Sequence, residues 1–505
     1  MFIRKNKNRS GSISIQVIEK YGRKNKVIKS LGAAKDPSKI EILIKEAELF
    51  IERKKGLIPL FTSQEDALIQ AFVNTISNDD LRIVGPKLVL EKIYHQIGYK
   101  DVTEEELFMH LVICRIVSPG SKLQTVQYML RHYRQSLSEQ AVYRYLDRVE
   151  DKLKPTIEQI TYEHSKKVLG GSTGIVFYDM STLYFETESE DDLRVIGYSK
   201  DGKHQHPQIM IGLLVGAGGV PIGYDVYKGN TAETKTLIPF LEKMVEKFKV
   251  DRPTIVADSA LLSKKNIEAL IANKYGFILG GRIKNESFNL KESILSADIT
   301  EEQPIDLEHL YGRLIVSYSN KRAQKDLFNR KRGLRRIEAK VKTGKLTKQA
   351  INNRGYNKYL HLEGDTKVAV NYEAFEADSR WDGLKGYITN TTLKSNDVVQ
   401  HYSNLWQIEK AFRMSKSDLR FRPIYHRKES RIKAHIAICF AAYAVYKELE
   451  RQIKTHNLKF SVETAVKNLK EIQELTYTLP MSKKRQTKIL SPNNTQTTLL
   501  EIFDI

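Results

Sequence analysis

The chain has 505 residues and carries 82 Lys and Arg against 61 Asp and Glu, a formal net charge of +21 at pH 7. A charge of this sign attracts polyanions, and nucleic acid is the first partner to consider. Cys114 and Cys439 stand far apart without a CxxC pair, which excludes a cysteine zinc site and argues against a disulfide framework. The longest apolar run, residues 434–446, is too short to cross a membrane, and no apolar stretch follows the basic N-terminus, so we expect an intracellular protein.

Changes in hydrophobic pattern predict a multidomain α/β protein whose mixed sheet is flanked by helices. The six predicted segments are a small β-containing module (1–60), a mostly helical DNA-binding region (61–170), the first part of the α/β domain (171–290), a basic inserted subdomain with strand-like pieces (291–382), the second part of the α/β domain (383–455) and a polar tail that is a candidate dimerisation segment (456–505).

Two short apolar runs predict buried strands that each end at an aspartate. GIVFY leads to Asp179, and TIVA leads to Asp258. Between them, QIMIGLLV and VPIGYDVY flank a glycine-rich turn, which is typical of an antiparallel hairpin, and a helix follows. Taken singly, either aspartate is as well explained as a strand-end turn residue.

A third acidic residue lies on a predicted helix over residues 396–416. Its heptad spacing places Tyr402, Glu409 and Lys416 on nearly one face. Neighbouring apolar residues share this face, so we expect Glu409 among core-facing side chains and Trp406 in the core.

Three carboxylates on one sheet would repel each other unless cations lie between them. An ion pair with Arg413 would explain Glu409 alone, but it would not explain the two aspartates. Oxygen ligands suit Mg²⁺ or Mn²⁺, and two such ions support in-line phosphoryl transfer. We therefore predict that Asp179, Asp258 and Glu409 are both catalytic residues and metal ligands.

Several ordered motifs resemble a bacterial insertion-sequence transposase of the DDE type. They are FYDMSTLYFE, GYSKDGKHQHPQIMIGLLV, VYKGNTAETKTL, IVADSALLS and YSNLWQIEKAFRMSKSDLRFRPIYHRKESRIKAHIAICFAAYAVY, and the resemblance extends from residue 1 to about residue 450. It implies an RNase H-like catalytic domain with a β-rich insertion between the second aspartate and the glutamate. The basic inserted segment lies in this interval.

The resemblance also implies which residues bind DNA. The family's glutamate helix carries a Tyr-Arg-Glu-Lys signature, which Tyr402, Glu409 and Lys416 match, while Leu405 stands at the arginine position. Tyr402 and Lys416 are then expected to hold the phosphates of the DNA end. Further candidates are Arg413 or Lys410, in place of the missing arginine, and Arg427 and Arg431 near the start of the next helix.

The inserted segment is the most basic part of the chain. Residues 321–360 contain 14 Lys and Arg against Asp326 and Glu338. A charge run is usually a solvated face, but this density favours DNA contact. The predicted contact residues are Arg330, Lys331, Arg332, Arg335 and Arg336.

These features predict a DNA transposase that cleaves the ends of an insertion sequence and transfers the strands into target DNA. The expected cofactors are two Mg²⁺ or Mn²⁺ ions per active site. The expected partners are double-stranded terminal inverted repeats, target DNA and a second copy of the chain in the synaptic complex. The expected location is the bacterial cytoplasm, at the nucleoid and not at a membrane. Two alternatives stay open: a metal-dependent nuclease that cuts without joining, and a non-catalytic DNA-binding protein derived from a transposase.

Overall fold

The computed structural model describes all residues except 23, 56–63, 200–201, 203–204, 250–251, 262, 344–345, 347, 353–354, 364–366 and 423. The described strands are β1 (Phe2–Lys7), β2 (Ile13–Tyr21), β3 (Lys24–Ala34), β4 (Leu81–Ile83), β5 (Ile175–Tyr184), β6 (Gln208–Val215), β7 (Pro221–Lys228), β8 (Thr254–Ala257), β9 (Gly276–Gly281), β10 (Ile305–His309), β11 (Gly312–Tyr318), β12 (Leu360–Glu363), β13 (Lys367–Val370), β14 (Leu384–Thr389), β15 (Gln473–Thr478) and β16 (Arg485–Ile489). The described α-helices are α1 (Pro37–Lys54), α2 (Gln64–Val73), α3 (Gly85–Ile97), α4 (Glu106–Val117), α5 (Lys122–Tyr128), α6 (Glu139–Arg148), α7 (Lys154–Val168), α8 (Leu237–Phe248), α9 (Lys264–Ala272), α10 (Phe288–Ser296), α11 (Asn320–Lys342), α12 (Tyr372–Ser379), α13 (Ser395–Ser403), α14 (Trp406–Ser417), α15 (Glu429–Thr455), α16 (Val462–Leu469) and α17 (Asn494–Glu501).

The chain forms two compact units. One comprises Met1–Gly85 with Lys467–Leu499, and the other comprises Pro86–Val466 with Leu500–Ile505. Part of the polar tail therefore folds with the N-terminal segment instead of standing alone.

The first unit begins with an antiparallel sheet in the order β1-β2-β3, covered on one side by α1. Asp36 caps α1 by accepting a hydrogen bond from the Ser38 amide, which satisfies a backbone donor of the first turn. Ile15 and Val17 of β2 pack against Ala47 of α1. The sequence predicts β structure in this module, and β1 is the strand least evident from its pattern, because FIRKNK is short and basic.

The tail contributes strands to the same unit. β15 pairs in antiparallel fashion with both β4 and β16, in the order β16-β15-β4. An ion pair between Arg82 and Glu474 links β4 to β15. These strands were not predicted, because β16 is exposed along its whole length and so lacks an alternating apolar pattern.

An eight-stranded mixed sheet forms the centre of the second unit, in the order β10-β11-β14-β9-β8-β5-β6-β7. β5, β8 and β9 are mutually parallel neighbours, while β6 and β7 extend the sheet as an antiparallel hairpin. Five of its strands, β7-β6-β5-β8-β9, have the predicted RNase H-like arrangement, which is therefore confirmed.

Helices cover both faces of this sheet. On one face, Tyr178 of β5 packs on Phe240 of α8, with ring centroids 5.1 Å apart. On the other face, Leu213 of β6 meets Phe412 of α14 and Phe440 of α15. Residues of β5 alternate between the two faces, so Asp179 points away from the side that holds Tyr178.

β5 is longer than predicted. Asp179 was expected at its end, but the strand continues to Tyr184 and pairs with β6 over this whole stretch. The residues after Asp179 include Thr182, Leu183 and Tyr184, which favour β structure. Asp179 therefore lies in the middle of β5.

The glutamate helix is interrupted. Instead of one helix over residues 396–416, α13 ends at Ser403 and α14 begins at Trp406. At the junction the amide of Leu405 donates to the carbonyl of Tyr402, and the amide of Ile408 to that of Leu405, so the backbone makes tighter three-residue turns. Tyr402 and Glu409 therefore stand on different helices.

The inserted segment contributes to the central sheet as well as projecting from it. β10 and β11 join the sheet beside β14, so they do not belong to a separate β subdomain. The projecting part consists mainly of α11, the hairpin β12–β13 and α12.

Residues 61–170, predicted to be mostly helical, contain α2 to α7 and the short strand β4. In the second unit, α4 is buried from Phe108 to Val117 and packs on α15, which is buried over most of its length. Even so, no helix among the described residues combines the length and the apolar content needed to span a membrane.

Candidate active site

The register between β5 and β8 directs Asp179 and Asp258 to adjacent positions. The strands are parallel, with Ile175 opposite Thr254 and Phe177 opposite Val256. Asp179 and Asp258 come two residues later on each side, and they share a face because strand residues alternate with a period of two. Asp179 is half-buried and Asp258, the first residue after β8, is exposed.

Glu409 approaches from the helix that covers this face. Asp179 stands opposite Leu213 in the β5–β6 ladder, so the two side chains share a face. Leu213 lines a small apolar cavity together with Phe412 of α14. Because Phe412 follows Glu409 by three residues, Glu409 lies about one helical turn from that contact.

The surroundings of Glu409 differ from the prediction. The buried side of α14 consists of Ile408, Ala411 and Met414, while Glu409 itself is exposed. Trp406 is 54% exposed, so it is not a core residue. The helix break explains the error, because the apolar residues before and after it no longer share one continuous face. Within the described part of the chain, Glu409 forms no ion pair with Arg413.

Two hydrogen bonds orient the Asp258 carboxylate. The amide of Ser259 donates to Oδ1 at 2.6 Å, and the hydroxyl of Tyr402 donates to the same oxygen at 3.1 Å. Tyr402 is buried, and burial together with the charge of Asp258 raises the pKa of its phenol. Tyr402 therefore keeps its proton at neutral pH and remains a hydrogen-bond donor to Asp258.

Glycine at position 280 makes room for this contact. A Cβ atom built on Gly280 would fall against the hydroxyl of Tyr402, closer than real Cβ atoms approach such an atom. Gly280 belongs to β9, next to the strand that carries Asp258. Any larger residue would push the Tyr402 hydroxyl away from the carboxylate.

Lys385 is a site residue that the sequence did not identify. Its Nζ lies 4.2 Å from the centre of the Tyr402 ring. Burial and the nearby Arg322 lower the pKa of Lys385, whereas Asp258 and Glu409 act in the opposite direction. The positive charge of Lys385 therefore interacts with both predicted carboxylates. The available indication was weak: a lysine at the start of the apolar strand KGYIT.

A cleft of ≈ 730 Å³ opens beside Asp258 and is lined by residues of β9, β14 and the inserted segment. Arg282, Arg322 and Lys385 line it close to the site, and Arg282 donates to the carbonyl of Ser259 at 2.9 Å. Elsewhere in the lining, two lysines share one carboxylate: Lys284 and Lys358 both bind Asp378, at 2.6 and 2.7 Å. The cleft is positive where it meets Asp258.

The three predicted ligands fit a hard divalent cation in donor type, since all of them offer carboxylate oxygens. Across the described residues, however, no three His, Cys, Asp or Glu side chains converge closely enough to form a metal-binding group. Coordination by Asp179, Asp258 and Glu409 together therefore stays a prediction.

A family model described as the transposase DDE domain matches residues 170–445, more than half of the chain. The chain belongs to the DDE transposase family. The matched region begins just before β5 and ends within α15, so it contains all three predicted carboxylates. Members of this family generally use divalent metal ions to break and join DNA strands.

Two solved structures similar to the transposase are DNA complexes. One is a piggyBac transposase synaptic complex with hairpin DNA, at 11% identity and a TM-score of 0.38, covering 76% of each chain. The other is a Mos1 transposase paired-end complex with the left transposon end, at 13% identity and a TM-score of 0.16, covering 35% of this chain and 58% of that one. Because both scores are low, the assignment depends on the domain match. No curated protein matches the chain.

In the transposase, the predicted DNA-binding residues of α11 form two groups, one buried and one exposed. Arg330 is buried, pairs with Asp382 at 2.6 Å and donates to the carbonyl of Phe375, which favours a structural role over the predicted DNA contact. The sequence does not reveal which side of a basic helix packs inward. Lys331, Arg332, Arg335 and Arg336 are exposed, as DNA contact requires.

The remaining candidates also differ in their surroundings. Arg413 and Arg427 are exposed, and Lys416 is half-buried. Arg431 instead forms two hydrogen bonds of 2.7 Å with Asp147, which join α15 to α6. This geometry favours a structural role for Arg431 over the predicted DNA contact.

Proposed function

We propose that this transposase cuts DNA at the ends of an insertion sequence and joins the released 3′ ends to target DNA. The observation that supports the proposal is the parallel β5–β8 register, in which Asp179 and Asp258 each follow the paired Phe177 and Val256 by two residues, together with the contact between β5 and α14, the helix of Glu409. In a basic chain, two carboxylates at neighbouring positions are well suited to bind a cation.

Asp179, Asp258 and Glu409 would hold the metal ions. Divalent cations bound there would supply activation of the attacking hydroxyl and stabilisation of the leaving oxygen of the phosphodiester. Tyr402 and the Ser259 amide hold Asp258 in one orientation, so less freedom is lost when it binds a cation.

Positive residues around the carboxylates would hold the DNA. Lys385, Arg322 and Arg282 lie where the cleft meets Asp258 and would attract the phosphates on either side of the cut. The exposed indole of Trp406 precedes Glu409 by three residues, which suits stacking on a base near the scissile bond. The exposed cations of α11 would follow the backbone further from the cut.

Joining two element ends requires two catalytic chains. A homodimer bound to both ends, in the cytoplasm of a bacterial cell, is therefore part of the proposal. Its partners are the terminal inverted repeats and the target duplex.

Asp179→Asn tests the proposal on duplexes that carry the DNA flanking the gene. The variant should bind these duplexes like the parent but fail to cut them in Mg²⁺. Asp225→Asn is the matched control, because Asp225 is also on the central sheet but pairs with Lys243 at 2.9 Å. A pre-cut end supplied with a target plasmid should yield joined products, which a nuclease without joining activity would not form. Full cleavage by the Asp179 variant would overturn the mechanism.

A further inference from the structure

The N-terminal sheet has two dissimilar faces. Ile15 and Val17 point to α1 and form its apolar core with Ala47. The opposite face has an apolar row of Phe2, Ile18 and Val27 at one end and is polar over the rest. Its residues follow from the antiparallel register, because paired residues share a face and alternate residues do not.

Two cross-strand rows make up the polar part of this face. One row is Arg4, Gln16 and Ser30, and the other is Asn6, Ser14 and Ala33. Asn6 Nδ2 donates to Gln16 Oε1 at 3.3 Å, so two amides are held side by side. Serine and alanine fill the other positions of these two rows. Another molecule could therefore approach Arg4, Asn6 and Gln16 closely.

The N-terminal module is also strongly basic. Residues 1–36 carry ten Lys and Arg against Glu19 and Asp36, a net charge of +8. That is more than a third of the charge of the whole chain on a small fraction of its residues. A module of this charge favours a polyanion over a protein partner.

The dimensions and chemistry match one kind of polyanion. Arg4, Asn6 and Gln16 all lie on β1 and β2, and a two-stranded β-ribbon fits the DNA major groove, which is about 12 Å wide. Arginine makes paired hydrogen bonds to guanine, and Asn and Gln do so to adenine. A surface that binds only phosphates would need no ordered amides.

We propose that the β1-β2-β3 face, through Arg4, Asn6 and Gln16, reads base sequence in the major groove of the element's end. This inference builds on the proposed function and names the surface that selects the DNA. It places sequence recognition on the N-terminal sheet, outside the helical region of residues 61–170 that is predicted to bind DNA.

The test uses the full chain and a library of random-sequence duplexes. The parent should enrich one sequence. Arg4→Lys keeps the charge but loses the paired donors of the guanidinium, so it should reduce the preference for the enriched duplex over a scrambled one by roughly 10-fold or more while total affinity changes little. Gln16→Ala should alter the preferred base at one position.

Lys5→Ala is the matched control for Arg4→Ala. Lys5 neighbours Arg4 on β1 but pairs with Ile15, so it lies on the α1 side of the sheet. Both variants remove one positive charge, yet only Arg4→Ala should lose sequence preference. Thermal melts would establish that each variant is folded.

Two outcomes overturn the inference: Arg4→Ala and Lys5→Ala weaken all duplexes equally, or the parent enriches no sequence. Cleavage of the enriched duplex in Mg²⁺ is measured separately. If the parent cuts it while Arg4 variants keep their preference, this inference fails and the proposed function stands. If the preference depends on Arg4 but no strand is cut, the proposed function fails instead.

Discussion

The hydroxyl of Tyr402 donates a hydrogen bond of 3.1 Å to Asp258, although the two residues are 144 positions apart in the chain. Tyr402 reaches Asp258 from the end of α13, and its ring lies 4.9 Å from that of Tyr387. The signature tyrosine therefore supports a predicted metal ligand directly.

Removal of this hydroxyl tests its role. Tyr402→Phe should slow DNA cleavage by roughly 10-fold or more, since a hydrogen bond to a charged group contributes about 1.5–3 kcal/mol. Tyr387→Phe is the control, because the Tyr387 hydroxyl bonds Ser317 at 3.1 Å instead. Single-turnover cleavage rates would show the contrast, and equal rates for both variants would contradict it.

Gly280→Ala should act through the same contact, since the added Cβ displaces the Tyr402 hydroxyl. Cleavage should fall about as far as in Tyr402→Phe, and the double variant should be no slower than either single one, because both remove one interaction. Gly174→Ala is the control, with its nearest neighbouring atom 3.6 Å from the added Cβ. Additive losses in the double variant would mean that Gly280 matters for another reason.

Lys385→Met should raise stability while it reduces activity. The pKa of Lys385 is lowered in the fold, mainly by burial, so the unfolded chain binds the proton more tightly. Its contribution to stability therefore increases as pH rises from the lowered value toward that of a free lysine. The variant should melt at higher temperature near pH 7, show a flatter pH dependence, and cut DNA more slowly.

The exposed Lys265→Met should change neither melting nor cleavage, which makes it the control for this substitution. Melting curves from pH 6 to 10 would decide the matter. A lower melting temperature for Lys385→Met at pH 7 would contradict the assigned role of burial.

Arg330→Ala and Arg335→Ala should separate structure from DNA binding on one helix. Loss of the buried Arg330 leaves Asp382 without its partner and should cost about 3 kcal/mol or more of unfolding free energy. Arg335 is exposed, so its loss should change stability by less than about 0.5 kcal/mol. It should instead lower the slope of log affinity against log salt by about 0.9 if it contacts one phosphate.

Urea denaturation and salt titrations of DNA binding measure the two effects. An unchanged salt slope for Arg335→Ala would mean that the outer side of α11 is merely solvated. A fully stable Arg330→Ala would show that the Asp382 pair does not hold the insert together.

The strands that carry the aspartates could be predicted because their sequences are short, apolar and rich in β-formers. GIVFY and TIVA can hardly be anything but buried strands once the intervening hairpin is recognised. Strand length was harder. The apolar run stops at Asp179, which suggested the end of the strand. Pairing with β6 depends on backbone groups instead, and it continues past Asp179.

Other features depend on contacts that a single sequence does not encode locally. The break before Trp406 contains neither glycine nor proline, so no local residue marks it. The burial of Arg330 depends on Asp382, 52 residues further along the chain. The pairing of β11 with β14 likewise joins segments separated by the whole of α11 and α12.

That pairing has a practical consequence. Tyr318 and Leu384 are opposite each other in the ladder, and the Ser319 amide donates to the Gly383 carbonyl at 3.1 Å. The excursion between them leaves the sheet and re-enters it at a single rung. A short engineered turn could therefore replace the segment between β11 and β14 and leave the two strands in register. A different module could be inserted at the same position, by evolution or by design.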